Sequence, residues 1–228
     1  MSGSIVSPGL RQRVRGIATP IAVGFGRLGL TPNHLTLIGF GIAVVAAVMA
    51  AQLFWIEAGL LLIIGGAFDV LDGSLARATG KASKLGAFMD SVFDRAGEGI
   101  VYIGIVAACA RANFGEGALV ASSAMAAAFM VSYTRAKSES LGFTPGSGMA
   151  SVGLAPREVR IVILTIGLIL TGINGGVQSL DCGGLLCLEP NWTAGNTLFV
   201  SALGLITILA TITTIQRILH VIRQPTQE

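Results

Sequence analysis

Residues 58–68 read AGLLLIIGGAF, residues 69–94 read DVLDGSLARATGKASKLGAFMDSVFD, and residues 99–109 read GIVYIGIVAAC. Two continuously apolar runs thus flank a segment holding four carboxylates, three glycines and one arginine. Apolarity without polar alternation reads as membrane-type helix and not as barrel strand. An ionisable side chain at bilayer depth costs roughly 2.5–3.5 kcal/mol, so four together call for a bound cation or a polar cavity.

Composition agrees with this reading. Hydrophobic residues make up 53% of the 228 and charged residues 12%, with a mean hydropathy of +0.77. Soluble domains average about 25% charged residues, so an integral membrane protein is expected. At about 20 apolar residues per crossing, the chain has room for six spans: Leu35–Phe54, Ile56–Ala76, Leu85–Ala110, Ala118–Arg135, Val159–Ile173 and Thr197–Ile215. The expectation is one all-α catalytic domain over residues 1–228, with a surface helix in 1–30 and a six-transmembrane-helix bundle in 31–228. Gly39, Gly41 and other small residues suit close helix contacts in lipid.

Fourteen of the fifteen basic residues fall on one side of these spans, and only Arg111 falls opposite. The positive-inside rule then places both termini and the Arg77–Leu85 turn in the cytoplasm of a multi-pass cell-membrane protein. The pI near 9.0 is accounted for by topology, so nucleic acid is not an expected partner. No secretory signal is visible in the first 30 residues. Leu10, Val14, Ile17 and Ile21 share one helical face, opposite Arg11 and Arg15, which predicts an amphipathic helix lying on the membrane surface. Thr31 and Pro32 supply a helix start as cap and first residue. Cys182 and Cys187 share an outward Gly-rich loop and are candidates for a disulfide.

Asp69 and Asp72 are spaced i, i+3, and Asp90 and Asp94 i, i+4, so each pair shares a helix face. Two helices joined by the Arg77–Leu85 turn can bring all four together, an oxygen-rich setting suited to magnesium-like cations and phosphates. Arg77 can grip a phosphate through paired hydrogen bonds, while Gly73 and Gly86 leave room for a ligand or a neighbouring backbone. Ordinary interfacial charges and a cation transporter are the competing readings. A transporter would spread its ionisable groups along several spans, whereas these concentrate on one helix pair beside basic residues, which favours a phosphate-handling enzyme.

The spacing Asp69-x2-Asp72-Gly73-x2-Ala76-Arg77-x8-Gly86-x3-Asp90-x3-Asp94 resembles the full signature of the CDP-alcohol phosphotransferase family. The Pro-Asn-x-Leu-Thr segment at Pro32–Thr36 and the expected six-helix bundle are similar as well. The resemblance implies transfer of a substituted phosphate from a CDP-linked donor to an alcohol, with CMP leaving. It implies two divalent ions, Mg2+ or Mn2+, one on Asp69, Asp72 and Asp90 and the other on Asp69, Asp90 and Asp94. Asp94 is implied as the base that takes the acceptor's hydroxyl proton. Gly73, Arg77 and Ser83 are implied to contact the donor's CDP moiety, and Pro32, Asn33, His34 and Leu35 to form part of its binding surface. Homodimers are implied too. Glu98 extends the Asp90–Asp94 face, either as a supporting partner of the site or in a helix–helix hydrogen bond.

A cytoplasmic interfacial site that leaves acyl chains in the bilayer favours CDP-diacylglycerol as donor. A soluble CDP-choline or CDP-ethanolamine serving a lipid alcohol is the other possibility. Ser132-Tyr-Thr-Arg135-Ala-Lys137, followed by Pro156-Arg157-Glu-Val-Arg160, resembles the phosphatidylinositol-phosphate synthase branch of the family. That resemblance implies a phosphorylated polyol acceptor, inositol phosphate, held by Arg135, Lys137, Arg157 and Arg160. Glycerol 3-phosphate is the competing acceptor, and a purely topological role is the competing explanation for these cations.

Overall fold

The computed structural model describes residues 8–143, 152–179 and 192–224, with side chains described from Gly16 onward. Seven helices make up its regular structure: α1 (Pro8–Arg27), α2 (Pro32–Ala51), α3 (Trp55–Ala78), α4 (Lys84–Arg111), α5 (Gly115–Ser140), α6 (Arg157–Ile173) and α7 (Ala194–Ile222). Among the described residues there is no strand. Every apolar stretch read from the sequence lies largely on its own helix from α2 to α7. Several helices run on past the charged residues that end the apolar stretches, because a helix can carry its polar turns beyond an apolar window.

Four helices, α2, α3, α5 and α7, are long and apolar enough to cross a membrane. The remaining two expected spans, α4 and α6, differ for identifiable reasons. Asp90, Asp94, Arg95 and Glu98 dilute the first half of α4, and α6 has only 17 residues, about 26 Å at 1.5 Å per residue. The Cys182–Cys187 pairing lies outside the described residues.

Helix starts follow local chemistry. Thr31 caps α2: its Oγ1 accepts from the His34 N–H at 3.3 Å, and His34 Nδ1 accepts from the Thr31 N–H at 3.3 Å. Ser83 caps α4 by accepting from the Gly86 N–H at 3.0 Å. Thr193 does the same for α7 through the Asn196 N–H.

The helices close into a ring in the order α2, α3, α6, α7, α5, α4, with α1 resting on α3. In lipid, apolar side chains gain little from leaving the solvent, so close packing and polar links hold the ring together. The main core joins Ala46, Ala50, Leu62, Ile105, Phe199 and Leu203 with their neighbours. Gly104 lets α4 approach α2 closely: a Cβ there would overlap the Ala47 carbonyl oxygen. Of the glycines expected at such contacts, Gly39 would meet Phe68 only at ordinary distance and Gly41 faces open space. A second, smaller cluster of Ala18, Ala22, Leu35, Leu71 and Leu75 fastens α1 to the carboxylate-bearing end of α3.

Candidate active site

The short 79–83 connection returns the chain from α3 to α4 and sets the two halves of the acidic run side by side. Asp69, Asp90 and Asp94 line one cavity of about 440 Å3 with Thr36, Gly39, Phe40, Leu62, Gly65 and Arg157. Asp72 points instead into the α2–α3 contact. It is 5% exposed, and its Oδ2 accepts from the Thr36 hydroxyl at 2.7 Å. That bond gives the threonine of the Pro32–Thr36 segment a role that spacing within α3 and α4 could not reveal.

Arg157, the first residue of α6, reaches across the ring to α3 and α4. Its Nη1 donates to Asp69 Oδ2 at 2.5 Å and lies 3.0 Å from Asp94 Oδ1. Arg95 approaches Asp94 more loosely, at 3.9 Å. Four residues deeper on α4 and three deeper on α6 comes a second ionic rung. Arg160 donates from Nε to Glu98 Oε1 at 2.9 Å and from Nη2 to Glu98 Oε2 at 2.8 Å, while Nη1 donates to the Ala155 carbonyl at 3.1 Å. Glu98 is therefore a partner in a helix-to-helix pair, the second of its two expected roles.

Among the described residues, no three His, Cys, Asp or Glu side chains are grouped so as to hold an ion as they stand. The donor set nevertheless suits a hard divalent cation, because every side-chain donor in it is oxygen. A guanidinium already occupies the place between Asp69 and Asp94, so positive charge is what these oxygens attract.

A second cavity, of about 810 Å3, opens on the other side of the same carboxylates. It is lined by Asp90, Asp94, Arg95, Arg135, Arg157, Arg160 and Arg217 among others. Asp90, Asp94, Arg157 and Glu158 belong to both cavities, so the two spaces meet at the carboxylate-bearing end of α4.

The residues expected around the acceptor separate here. Arg135 and Arg157 face the second cavity, with Arg135 in an ion pair to Glu139 at 3.0 Å. Arg160 borders it too, but the side chain is 1% exposed and its guanidinium is committed to Glu98 and Ala155. Burial demands a paired partner, and in this structure that partner is Glu98. Lys137 lies two residues beyond Arg135 and so turns to a different groove, lined by Tyr133, Leu141, Ile218 and Ile222.

The residues expected to contact the donor lie near the start of α2, the end of α3 and the start of α4. A Cβ on Gly86 would sit 3.1 Å from Ser83 Oγ and 3.3 Å from Asn33 Oδ1, which brings the first turns of α2 and α4 together. Arg77 is exposed near the end of α3, and its Nη2 lies 3.4 Å from Ser74 Oγ. A Cβ on Gly73 would meet the Arg77 guanidinium at 3.2 Å. Pro32 is the first residue of α2 and His34 belongs to its cap. Leu35, expected on the same surface, is fully buried in the α1–α3 cluster.

Sequence reasoning assigned Arg217 to topology alone. Its Nε donates to the Val152 carbonyl at 3.0 Å, and its Nη1 donates to the Val131 carbonyl. Beside it, Thr213 Oγ1 accepts from the Leu154 and Ala155 N–H groups at 3.0 and 2.9 Å. Gly153 makes this clamp possible, with φ of +116° and no room for a Cβ against Thr213. The clamp fixes the segment that delivers Arg157. Contacts 58 to 86 residues apart in sequence leave no local signal.

Known proteins place this geometry. The chain is 37% identical over 175 residues to an archaetidylinositol phosphate synthase of Pyrococcus horikoshii, covering 76% of this chain and 86% of that one. It is 34% identical over 173 residues to a phosphatidylinositol phosphate synthase of Mycobacteroides abscessus, covering 74% of each. The fold matches a crystal structure of phosphatidylinositol phosphate synthase from Mycobacterium tuberculosis with CDP-DAG bound, at a TM-score of 0.74 and 24% identity over 92% of this chain and 95% of that one. The family model for CDP-alcohol phosphatidyltransferase matches residues 29–223, and with it the acidic run, both cavities and the arginine that joins them: the chain belongs to the CDP-alcohol phosphatidyltransferase family.

Proposed function

We propose that this chain transfers a phosphatidyl group from CDP-diacylglycerol to a hydroxyl of inositol phosphate and releases CMP. One observation carries the reading: an apolar-walled cavity and an arginine-lined cavity meet at Asp90, Asp94 and Arg157. The first suits a lipid-linked donor and the second a phosphorylated acceptor, with the carboxylates between them. The two relatives described above are named for different lipid classes and share the inositol phosphate in their names, which supports that acceptor over glycerol 3-phosphate.

In this reading Asn33, Gly73, Arg77 and Ser83 receive the CDP head, with Pro32 and His34 shaping the surface around it. Asp69, Asp72 and Asp90 would hold one divalent ion and Asp69, Asp90 and Asp94 a second, magnesium or manganese. These ions would neutralise the donor's two phosphates and the departing CMP. Asp94 takes the proton of the attacking hydroxyl as its oxygen bonds to the lipid-bearing phosphorus and the bond from that phosphorus to CMP breaks. Arg135 and Arg157 hold the acceptor's phosphate through charge-assisted hydrogen bonds. Arg160 positions Arg157 from below, and Lys137 contacts lipid headgroups beside the cavity.

The reading includes six spans with both termini and the Arg77–Leu85 turn in the cytoplasm. It also has α1 lying on the membrane surface, an arrangement supported by the exposed Ile17 and Ile21 beside the inward Ala18 and Ala22. Its homodimer rests on the family resemblance alone. Thin-layer separation of products tests the donor and the cation together. Labelled CDP-diacylglycerol with inositol phosphate should give a new phospholipid that a chelator abolishes. Product from CDP-choline and diacylglycerol instead would reject the reading.

A further inference from the structure

Arg157 makes two ionic contacts through a single nitrogen, Nη1, to Asp69 and Asp94. Its Nε is buried and has no hydrogen-bond partner among the described residues. A buried donor left unmade is unfavourable, so the carboxylate bridge leaves part of this guanidinium unsatisfied. The neighbouring arginines differ. Arg160 is locked to Glu98 and Ala155, and Arg217 to Val131 and Val152. Of the three, Arg157 is the one free to change partners, and it borders both cavities.

We propose that Arg157 is an exchangeable counter-ion: a divalent cation displaces it from Asp69 and Asp94, and the released guanidinium takes the acceptor's phosphate in the arginine-lined cavity. The inference rests on the metal-dependent reading above and adds the order in which that site assembles. A cation and a guanidinium compete for the same two carboxylate oxygens, and once the cation is bound the two positive charges repel at short range. The phosphate offers the displaced arginine a new anion and its orphaned Nε–H an acceptor. Cation and acceptor therefore each strengthen the other's binding, and linkage requires the two enhancements to be equal. The carboxylates are in this way kept neutralised until both ligands are present.

The test is Mn2+ binding to the purified protein in detergent, followed by electron paramagnetic resonance at buffered free Mn2+, with and without inositol phosphate. Arg157→Gln removes the competitor. It should bind Mn2+ about tenfold more tightly than wild type without inositol phosphate, a change of about 1.4 kcal/mol. In wild type, inositol phosphate should tighten Mn2+ binding about tenfold; in Arg157→Gln the enhancement should fall below about twofold. Unchanged or weaker Mn2+ binding in Arg157→Gln, or an enhancement equal to that of wild type, would overturn the exchange. If that variant does not fold, wild type alone decides, since no enhancement by inositol phosphate overturns the proposal. Asp94→Asn separates the two levels. Mn2+ binding indifferent to that substitution rejects the metal site and the exchange together, whereas binding that needs Asp94 but ignores Arg157 rejects the exchange only.

Discussion

Replacing Arg160 with methionine should be among the most destabilising single changes in this chain. The side chain is 1% exposed and Glu98 is 5% exposed, and the substitution removes the bonds at 2.8 and 2.9 Å that satisfy both carboxylate oxygens. Stranding one member of a buried ion pair costs about 3–5 kcal/mol. At roughly 2–4 °C per kcal/mol for a chain of this size, the thermal midpoint in detergent should fall by roughly 6–20 °C. The double variant Glu98→Leu/Arg160→Met removes both charges and should recover most of that loss, since an apolar pair of similar volume is often as stable as the buried ions. Recovery of stability should not restore function in full. Without the deeper rung Arg157 loses its support, so the acceptor KM should stay raised in the double variant while donor KM stays near wild type. A midpoint for Arg160→Met within about 3 °C of wild type, or a double variant no more stable than the single, would refute this account of the cross-ring link.

Gly104→Ala forces a methyl into the Ala47 carbonyl and should cost about 1–3 kcal/mol by overpacking, read as a lower thermal midpoint, while Gly41→Ala, facing open space, should be close to neutral. Thr36→Val removes the hydroxyl that orients Asp72; hydrogen bonds to charged groups contribute about 1.5–3 kcal/mol, so half-maximal activity should need about tenfold more Mg2+. Asp94→Asn should lower kcat by about 10²–10⁴ and retain donor binding measured by equilibrium dialysis with labelled CDP-diacylglycerol. Near-normal turnover at saturating Mg2+ would remove Asp94 from its role.

The helices were legible because continuous apolar runs have few other readings, and the carboxylate run because i, i+3 and i, i+4 spacing fixes helix faces without reference to the rest of the fold. Helix ends were less legible, since Arg135 to Ser140 continue α5 past a charge that looks like a boundary. The site's supporting network was hidden for a different reason. Glu98 and Arg160 are 62 residues apart, and Thr213 meets Ala155 across 58, so only the ring order of the helices brings them together. Lys137 and Leu35 show the same limit on a smaller scale. Each lies beside a cavity-lining residue, Arg135 or Thr36, and the turn of the helix sends one to a separate groove and the other into the core.

The central claim is that a phosphorylated polyol receives the lipid phosphate at the junction of the two cavities. Initial rates of CMP release from CDP-diacylglycerol, measured for inositol phosphate, free inositol and glycerol 3-phosphate with wild type and Arg135→Ala, test it most directly. The expected result is a clear preference for inositol phosphate, little use of free inositol, and an acceptor KM raised about tenfold by Arg135→Ala, in keeping with loss of one charge-assisted hydrogen bond. Equal use of free and phosphorylated inositol would contradict the phosphate-binding cavity, and preference for glycerol 3-phosphate would contradict the named acceptor.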